Sequence, residues 1–236
     1  MKKVFILLPA TILLAILGVL LLPWIAGQAA PQEQTTSGPK YNAIAMPLDA
    51  EQSFADLGYL YNSQGLLDYI GSSASQVLRL NASRQDFDSW FSGGFGVVDG
   101  IFTTTPFPLN TGEEYWILVN SNSPTSFSVV GEVPAAGSVD FTLIGSNPCK
   151  YNGISIPLDQ SEISNAVELS ASIGNIEQVL RLNTEHQDFD TWFVTANFGI
   201  VGGIFTTNPD DFPVKIGYPY WVCVNTTGNN TVWPMP

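Results

Sequence analysis

The alternation of apolar and polar positions along the chain predicts short β-strands separated by turns. In "NAIAMPL" the apolar residues Ile44 and Met46 occupy alternate positions, and "NGISIPL" repeats this pattern with Ile154 and Ile156. Such alternation is typical of a half-buried strand. A further strand is predicted at "QVLRLN". A hairpin is predicted from "FPL", a glycine-containing turn and "YWILV". Closing strands are predicted at "SFSVVG" and "TVWPM".

Helices are predicted after the first strand of each half. Asp49 and Asp159 are followed three residues later by Gln52 and Glu162. This spacing is that of a capping box, in which the first residue is the helix N-cap. The sequence therefore predicts that a helix begins at each of these aspartates.

The length of the helices is predicted to differ between the halves. In the second half, helical spacing relates the apolar or small residues Ile163, Val167, Ser170 and Ile173, and Gly174 suits the position after a helix. In the first half, Gly58 and Gly65 interrupt the region. We expect two short helices there and one helix in the second half.

The chain contains the same module twice. "QVLRLNASRQDFDSWF" from Gln76 and "QVLRLNTEHQDFDTWF" from Gln178 are the most similar segments, and "FGVVDGIFTT" is repeated as "FGIVGGIFTT". The predicted fold class is α+β, mainly antiparallel β, with two similar small modules that each pack a short helix on a sheet. We assign residues 41–133 to the first module and 138–236 to the second. "VDFTLIG" opens the second module without a clear counterpart in the first.

The N-terminus has the pattern of an export signal. Met1-Lys2-Lys3 precedes a long apolar run, and "GQAA" ends it. Residues 1–29 are predicted to be a signal peptide or, because the run is long, an uncleaved membrane anchor. Residues 30–40 are a polar linker. The predicted location is extracellular or at the cell surface.

The charge of the chain bears on its partners. The formal net charge is −13, and charged residues make up only 12% of the sequence, against about 25% in typical proteins. An acidic surface repels nucleic acid and anionic lipid. We therefore expect no nucleic-acid partner, and membrane contact only through an uncleaved N-terminus.

Cys149 and Cys223 are the two cysteines of the chain. In an exported protein an even pair favours a disulfide, which by the chain-entropy model contributes on the order of 4 kcal/mol for a long loop. Two free buried thiols are the alternative.

Repeated arginines and aspartates form the first candidate site. Arg79 is followed by Asp86 and Asp88, and the second copy has Arg181, Asp188 and Asp190. The favoured interpretation is a structural Arg–Asp ion pair that holds the strand to the next loop. A calcium site on the paired carboxylates is the alternative, although two carboxylates supply fewer oxygens than calcium prefers. No other cofactor or metal is predicted.

Repeated tryptophans form the second candidate site: Trp90, Trp192, Trp116 and Trp221. Their first interpretation is core filling, because each ring buries a large area. The alternative is an exposed aromatic platform that binds sugar rings or another protein.

Motifs of known enzymes do not occur in the sequence. There is no nucleophile elbow, HExxH motif, phosphate-binding loop or dinucleotide fingerprint, and His186 is the single histidine. We therefore expect a protein that is not an enzyme.

The order "NAIAMPLD", a short helix, "QVLRLN…QDFDSWF" and "FPL…G…YWILVN" resembles tandem "NxIxxPL…QxYxxW…GxxYWV" modules of exported and cell-surface bacterial proteins. The resemblance covers most of residues 41–236. It implies secretion and an accessory, non-catalytic role, and it implies no site residues.

Two functional hypotheses follow from these patterns. The first is a secreted or surface-attached tandem-repeat protein with a structural or adhesive role through protein–protein contacts, including contacts with itself. Its partners would be other protein subunits or cell-surface components. The second is a carbohydrate-binding protein that uses Trp and Tyr platforms to hold glycans.

Overall fold

The computed structural model describes residues 32–34, 39–120, 125–226 and 230–234. The predicted signal peptide or anchor at residues 1–29 lies outside these ranges, and so does much of the linker at 30–40. Within the described ranges, no helix is long and apolar enough to cross a bilayer.

The first module consists of eight strands and two helices. In chain order they are β1 (Gln32–Gln34), β2 (Lys40–Ala45), α1 (Glu51–Asp56), α2 (Ser63–Ile70), β3 (Ala74–Asn81), β4 (Asp86–Phe91), β5 (Phe95–Val98), β6 (Ile101–Thr103), β7 (Glu114–Val119) and β8 (Thr125–Phe127).

The second module has eight strands, one α-helix and one short 3₁₀ helix. In chain order they are β9 (Phe141–Leu143), β10 (Lys150–Ser155), α3 (Ala166–Ile173), β11 (Ile176–Asn183), β12 (Asp188–Phe193), β13 (Phe198–Val201), β14 (Ile204–Thr206), the 3₁₀ helix (Pro209–Asp211), β15 (Pro219–Val224) and β16 (Thr231–Trp233).

Each module is built on a six-stranded antiparallel sheet. The strand order is β2-β7-β3-β4-β5-β6 in the first and β10-β15-β11-β12-β13-β14 in the second, so the two sheets have the same topology. A two-stranded ribbon accompanies each sheet, β1 with β8 and β9 with β16. The predicted α+β class, mainly antiparallel β, is confirmed.

Each sheet covers its own hydrophobic core. One cluster contains only residues between Ile44 and Val129, and the other only residues between Phe141 and Trp233. Trp90 and Trp192 are among the largest fully buried side chains. Gly96 and Gly199 lie on the neighbouring strands, where a Cβ would overlap the ring of Trp90 or Trp192. Glycine is therefore required where the backbone crosses each indole.

The predicted helix start is one residue too early in the first module and six residues too early in the second. The N-cap of α1 is Ala50, which makes no side-chain capping bond, although Asp49 Oδ1 accepts a hydrogen bond from Glu51 N at 3.3 Å. In the second module Asn165 is the N-cap of α3, and its side chain accepts hydrogen bonds from Val167 N and Glu168 N. Asp159 lies in a turn instead. The predicted number of helices, two in the first module and one in the second, agrees with the structure.

The predicted hairpin of "FPL" with "YWILV" is also wrong. Strand β7 pairs with β2 and β3, and the "FPL" segment forms no strand. Phe107 and Leu109 are buried in the first core, and Phe107 O accepts a hydrogen bond from Ser63 N at 2.9 Å. Phe107 and Leu109 lie at alternate positions and are buried in the core, although the segment is a loop. Their apolar pattern is therefore the same as that of a strand.

Strand β1 is the first-module counterpart of β9. It pairs with β8 as β9 pairs with β16. The sequence "QEQ" of β1 contains no apolar residue, which explains why the hydrophobic pattern shows no strand there.

Candidate functional site

The Arg–Asp pairs lie on adjacent strands. Arg79 Nη2 and Asp88 Oδ2 are 2.8 Å apart, and Arg181 Nη2 and Asp190 Oδ2 are 2.9 Å apart. Each pair is also a directly opposed cross-strand pair, β3 with β4 and β11 with β12. The ion pair predicted at these four residues is present in both modules.

The loop before the last sheet strand is attached to this pair. The guanidinium of Arg79 lies 4.7 Å from the ring centroid of Phe107, and that of Arg181 lies 4.7 Å from Phe212. Arg181 Nη1 also donates to Pro213 O at 2.9 Å. The arginines therefore hold the "FP" loops against the sheets, which is a structural role.

The buried aspartates are held as carboxylates. Burial would raise the pKa of Asp88, but hydrogen bonds from Arg79 and from the backbone N–H of Asp99 lower the pKa below its ordinary value. Burial would also raise the pKa of Asp190. Hydrogen bonds from Gly202 N, Asn183 and Arg181 outweigh this effect, so the pKa of Asp190 is lowered as well. Both aspartates are therefore ionised at neutral pH.

The other two aspartates do not share these pairs. Asp86 forms an exposed ion pair with Arg84 at 2.6 Å, and Asp188 is exposed and has no ion pair with a described residue. The prediction that Asp86 and Asp188 join the structural ion pairs of Arg79 and Arg181 is wrong. Among the described residues, no group of three or more His, Cys, Asp and Glu side chains is arranged to hold a metal ion.

The four tryptophans of the predicted platform are covered by the protein itself. Trp90 and Trp192 are buried in the two cores, with exposures of 1% and 0%. Trp116 is buried and Trp221 half-buried on the opposite sheet faces. The prediction of an exposed platform at these four positions is wrong, because two fill the cores and two lie between the modules.

The two modules contact each other through reciprocal hydrogen bonds. Tyr41 N donates to Gln187 Oε1 at 2.8 Å, and Gln187 Nε2 donates to Tyr41 O at 3.0 Å. The equivalent residues make the same two bonds with the modules exchanged. Tyr151 N donates to Gln85 Oε1, and Gln85 Nε2 donates to Tyr151 O, each at 2.9 Å. The contact is therefore isologous, as in a two-fold symmetric dimer.

The two glutamines have an unusual backbone conformation. Gln85 has φ 60° and Gln187 has φ 58°, in the left-handed region that non-glycine residues rarely adopt. Each ends the turn between two sheet strands. This conformation directs the side-chain amide to the first sheet strand of the other module.

Between these hydrogen bonds lies an aromatic cluster. Trp116 and Trp221 stack with their centroids 4.9 Å apart. Phe87 lies 5.6 Å from Trp221, and Phe189 lies 5.4 Å from Trp116. These residues belong to the sheet faces that point away from the cores. Both faces of each sheet are therefore apolar in this region.

A single buried carboxyl group lies at the centre of the cluster. Glu114 is 3% exposed. It accepts a hydrogen bond from Trp116 Nε1 at 2.9 Å and another from Trp221 Nε1. Burial raises the pKa of Glu114 to about 8, although both indole hydrogen bonds act in the opposite direction. One side chain thus joins both modules by hydrogen bonds.

This carboxylate breaks the symmetry of the contact. The residue equivalent to Glu114 in the second module is Pro219, at the same position before "YW". Gly153 faces Glu114, and a Cβ there would overlap the glutamate side chain. The first module has Ala43 at the position equivalent to Gly153. The two modules have therefore diverged where they meet.

The predicted disulfide between Cys149 and Cys223 is present, with the two Cα atoms 5.4 Å apart. Cys223 lies on β15, and Cys149 immediately precedes β10, so the bond joins the ends of two paired strands. The position equivalent to Cys223 in the first module is Leu118.

Among the described residues, two aromatic ladders reach the surface at equivalent positions of the modules. The first ladder is Phe91, Phe95 and Phe102, with centroid separations of 5.2 and 5.9 Å. The second ladder comprises the equivalent residues Phe193, Phe198 and Phe205, with separations of 4.9 and 5.2 Å.

The outermost ring of each ladder is largely in solvent. Phe102 is 68% exposed and Phe205 is 63% exposed, and beside them Ile101 and Ile204 are 68% and 72% exposed. They lie on β6 and β14, the edge strands of the two sheets. Exposed apolar patches on a sheet edge are typical of interaction sites.

The ladders were not predicted from the sequence. Their signal was present in "FGVVDGIFTT" and "FGIVGGIFTT", which contain one charged residue in total, Asp99. Natural edge strands usually contain charged residues that prevent association. A twice-repeated hairpin with one charged residue in its two copies is therefore a recognisable mark of such a surface.

A comparison with known proteins finds no match: no family model matches the sequence, no curated protein is significantly similar to it, and no solved structure matches its fold. The geometry therefore defines the class of the protein by itself. It is a pair of α+β modules joined face to face, with an exposed aromatic ladder on each.

Proposed function

We propose that the chain is a secreted or surface-attached, non-enzymatic protein with a structural or adhesive role, acting through protein–protein contacts. The observation that supports this proposal is the pair of exposed aromatic ladders. Burying an exposed phenylalanine side chain contributes roughly 1.5–3 kcal/mol. Two ladders of this kind on one chain supply the energy of an adhesive contact without any charged group.

Export is part of this proposal. The disulfide between Cys149 and Cys223 is typical of proteins in an oxidising compartment, and the basic and apolar N-terminal sequence is that of a signal peptide or anchor. Outside the cell, an adhesive surface meets other subunits or components of the cell surface.

Carbohydrate binding is the competing function, because exposed aromatic rings also stack on sugars. The neighbours of the ladders favour protein. The segment "FGIVGGIFTT" that contains Phe198 and Phe205 provides glycine, aliphatic, phenylalanine and threonine side chains only. A sugar site needs several polar groups to orient the hydroxyls.

Bead adhesion tests the proposal. The chain, as an exporting bacterial host produces it, is fixed to beads, and adhesion to protein-coated and polysaccharide-coated surfaces is measured. We expect adhesion to protein that falls at least fivefold in the double variant Phe102→Ser/Phe205→Ser.

Leu60→Ser is the matched control, because Leu60 is 70% exposed and lies outside both ladders. It should leave adhesion unchanged. Adhesion to polysaccharide alone, or adhesion to protein that the double variant retains, would contradict the proposal.

A further inference from the structure

The uncovered ladders continue a sheet face that already has a partner. The face turned away from the first core runs from Tyr41 on β2 through Trp116 and Phe87 to the first ladder on β4, β5 and β6. Its central part packs against Trp221 and Phe189 of the second module. The intermodule contact therefore covers only part of this face.

The partner seen on this face is the equivalent face of the second module. The intermodule contact is isologous, because each hydrogen bond from the first module to the second has an equivalent bond from the second to the first. Equivalent aromatic residues also meet at its centre. The face of the first module is thus complementary to the equivalent face of the second, in both hydrogen bonds and ring contacts.

Charge favours the same partner at the ladders. With a net charge of −13, two chains repel each other over most of their surfaces. The hairpin of the second ladder has no charged residue, and that of the first has only Asp99. A contact between ladders brings two like-charged chains together at hairpins that carry few charges.

We infer that each ladder is a docking surface for a ladder of a second copy of this chain. The inference rests on the proposed function and names its partner. The edge strands β6 and β14 pair on one side only within the described residues. Their free backbone groups allow the two sheets to continue from chain to chain.

Two ladders on each chain predict an open assembly. A chain with one docking surface forms closed pairs. A chain with two docking surfaces binds one neighbour through each of them and so forms an open chain of subunits. The number of functional ladders therefore determines the size of the assembly.

Sedimentation velocity over a wide concentration range tests this inference on the exported chain. The wild-type chain should form species larger than a dimer that grow with concentration. Phe102→Asp and Phe205→Asp should each limit the assembly to dimers, and the double variant should be monomeric. Leu60→Asp adds the same charge at an exposed site outside the ladders and should assemble as the wild type does.

The outcomes separate this inference from the proposed function. A wild-type chain that stays monomeric at every concentration overturns the inference, and so does assembly that persists in the double variant. If a monomeric wild-type chain on beads still adheres to protein-coated surfaces through its ladders, the proposed function stands with a different partner. Near-ultraviolet circular dichroism, which reports the packing of the buried tryptophans, verifies that each variant is folded.

Discussion

The indole rings of Trp116 and Trp221 stack on each other across the two modules, and their Nε1–H groups donate to the same carboxyl group, that of Glu114. The two rings occupy equivalent positions in the repeat, yet only one module supplies the acceptor. The stability of this contact therefore depends on the protonation of one side chain.

Glu114 should make the stability of the protein depend on pH. Burial raises its folded pKa to about 8 from an ordinary value of 4.5, so between these values the folded protein binds more protons at this site than the unfolded chain. The contribution is complete below pH 4.5 and is lost as the pH rises through 8, by at most about 1.4 kcal/mol per pH unit.

The measurement is urea unfolding of the wild type and of Glu114→Gln between pH 4 and pH 9. Glutamine has nearly the same shape and does not titrate, so the free-energy difference between the two proteins should change with this slope. Parallel curves for the two proteins would show that Glu114 does not titrate with a raised pKa.

Gly153→Ala should destabilise the contact between the modules. The added Cβ would overlap the side chain of Glu114, and overpacking of this kind costs about 1–3 kcal/mol. The equivalent residue Ala43 shows that alanine itself is compatible with the strand.

A double-mutant cycle with Glu114→Ala isolates this clash. Shortening Glu114 removes the atoms that the new methyl group meets, so the two substitutions should not be additive in the free energy of unfolding. Additive effects would mean that the cost of Gly153→Ala has another origin.

Arg79→Ala should lower the free energy of unfolding by about 1.5–3 kcal/mol, because it leaves the buried carboxylate of Asp88 without its charged donor. Arg84→Ala is the matched control: its ion pair with Asp86 is exposed, and we expect no measurable change. Equal effects of the two substitutions in chemical denaturation would contradict a structural role for Arg79.

Reduction of the Cys149–Cys223 disulfide should destabilise the second module. For a sequence separation of 74 residues, the chain-entropy model gives a loss of about 4 kcal/mol. Thermal unfolding with and without reductant measures this loss. The variant Cys149→Ala/Cys223→Ala should unfold at the same temperature in both conditions, and a reductant effect that remains in it would have another cause.

Features that depend on local patterns were predictable from the sequence. The alternation around Ile44 and Ile154 predicted the strands. The repeated spacing predicted that Arg79 and Arg181 pair with aspartates, although it did not show which aspartate of each copy forms the pair. These interactions join neighbouring strands, so their partners lie close in the sequence.

Features that depend on the other module were not predictable. Gln85 and Gln187 look like ordinary turn residues, and only the folded chain shows their contacts with Tyr151 and Tyr41. The roles of Trp116 and Trp221 were missed for the same reason. A strand pattern separates two faces of a sheet but does not show whether the second apolar face meets solvent or another sheet.

The replacement of Glu114 by Pro219 in the second copy gives the duplicated halves different identities. A chain of two first modules would place two glutamates at the site that now holds one, and a chain of two second modules would offer its indoles no carboxylate. The intermodule contact thus requires one module of each kind. The halves are no longer interchangeable, and their one-to-one ratio is secured by their being encoded in a single polypeptide.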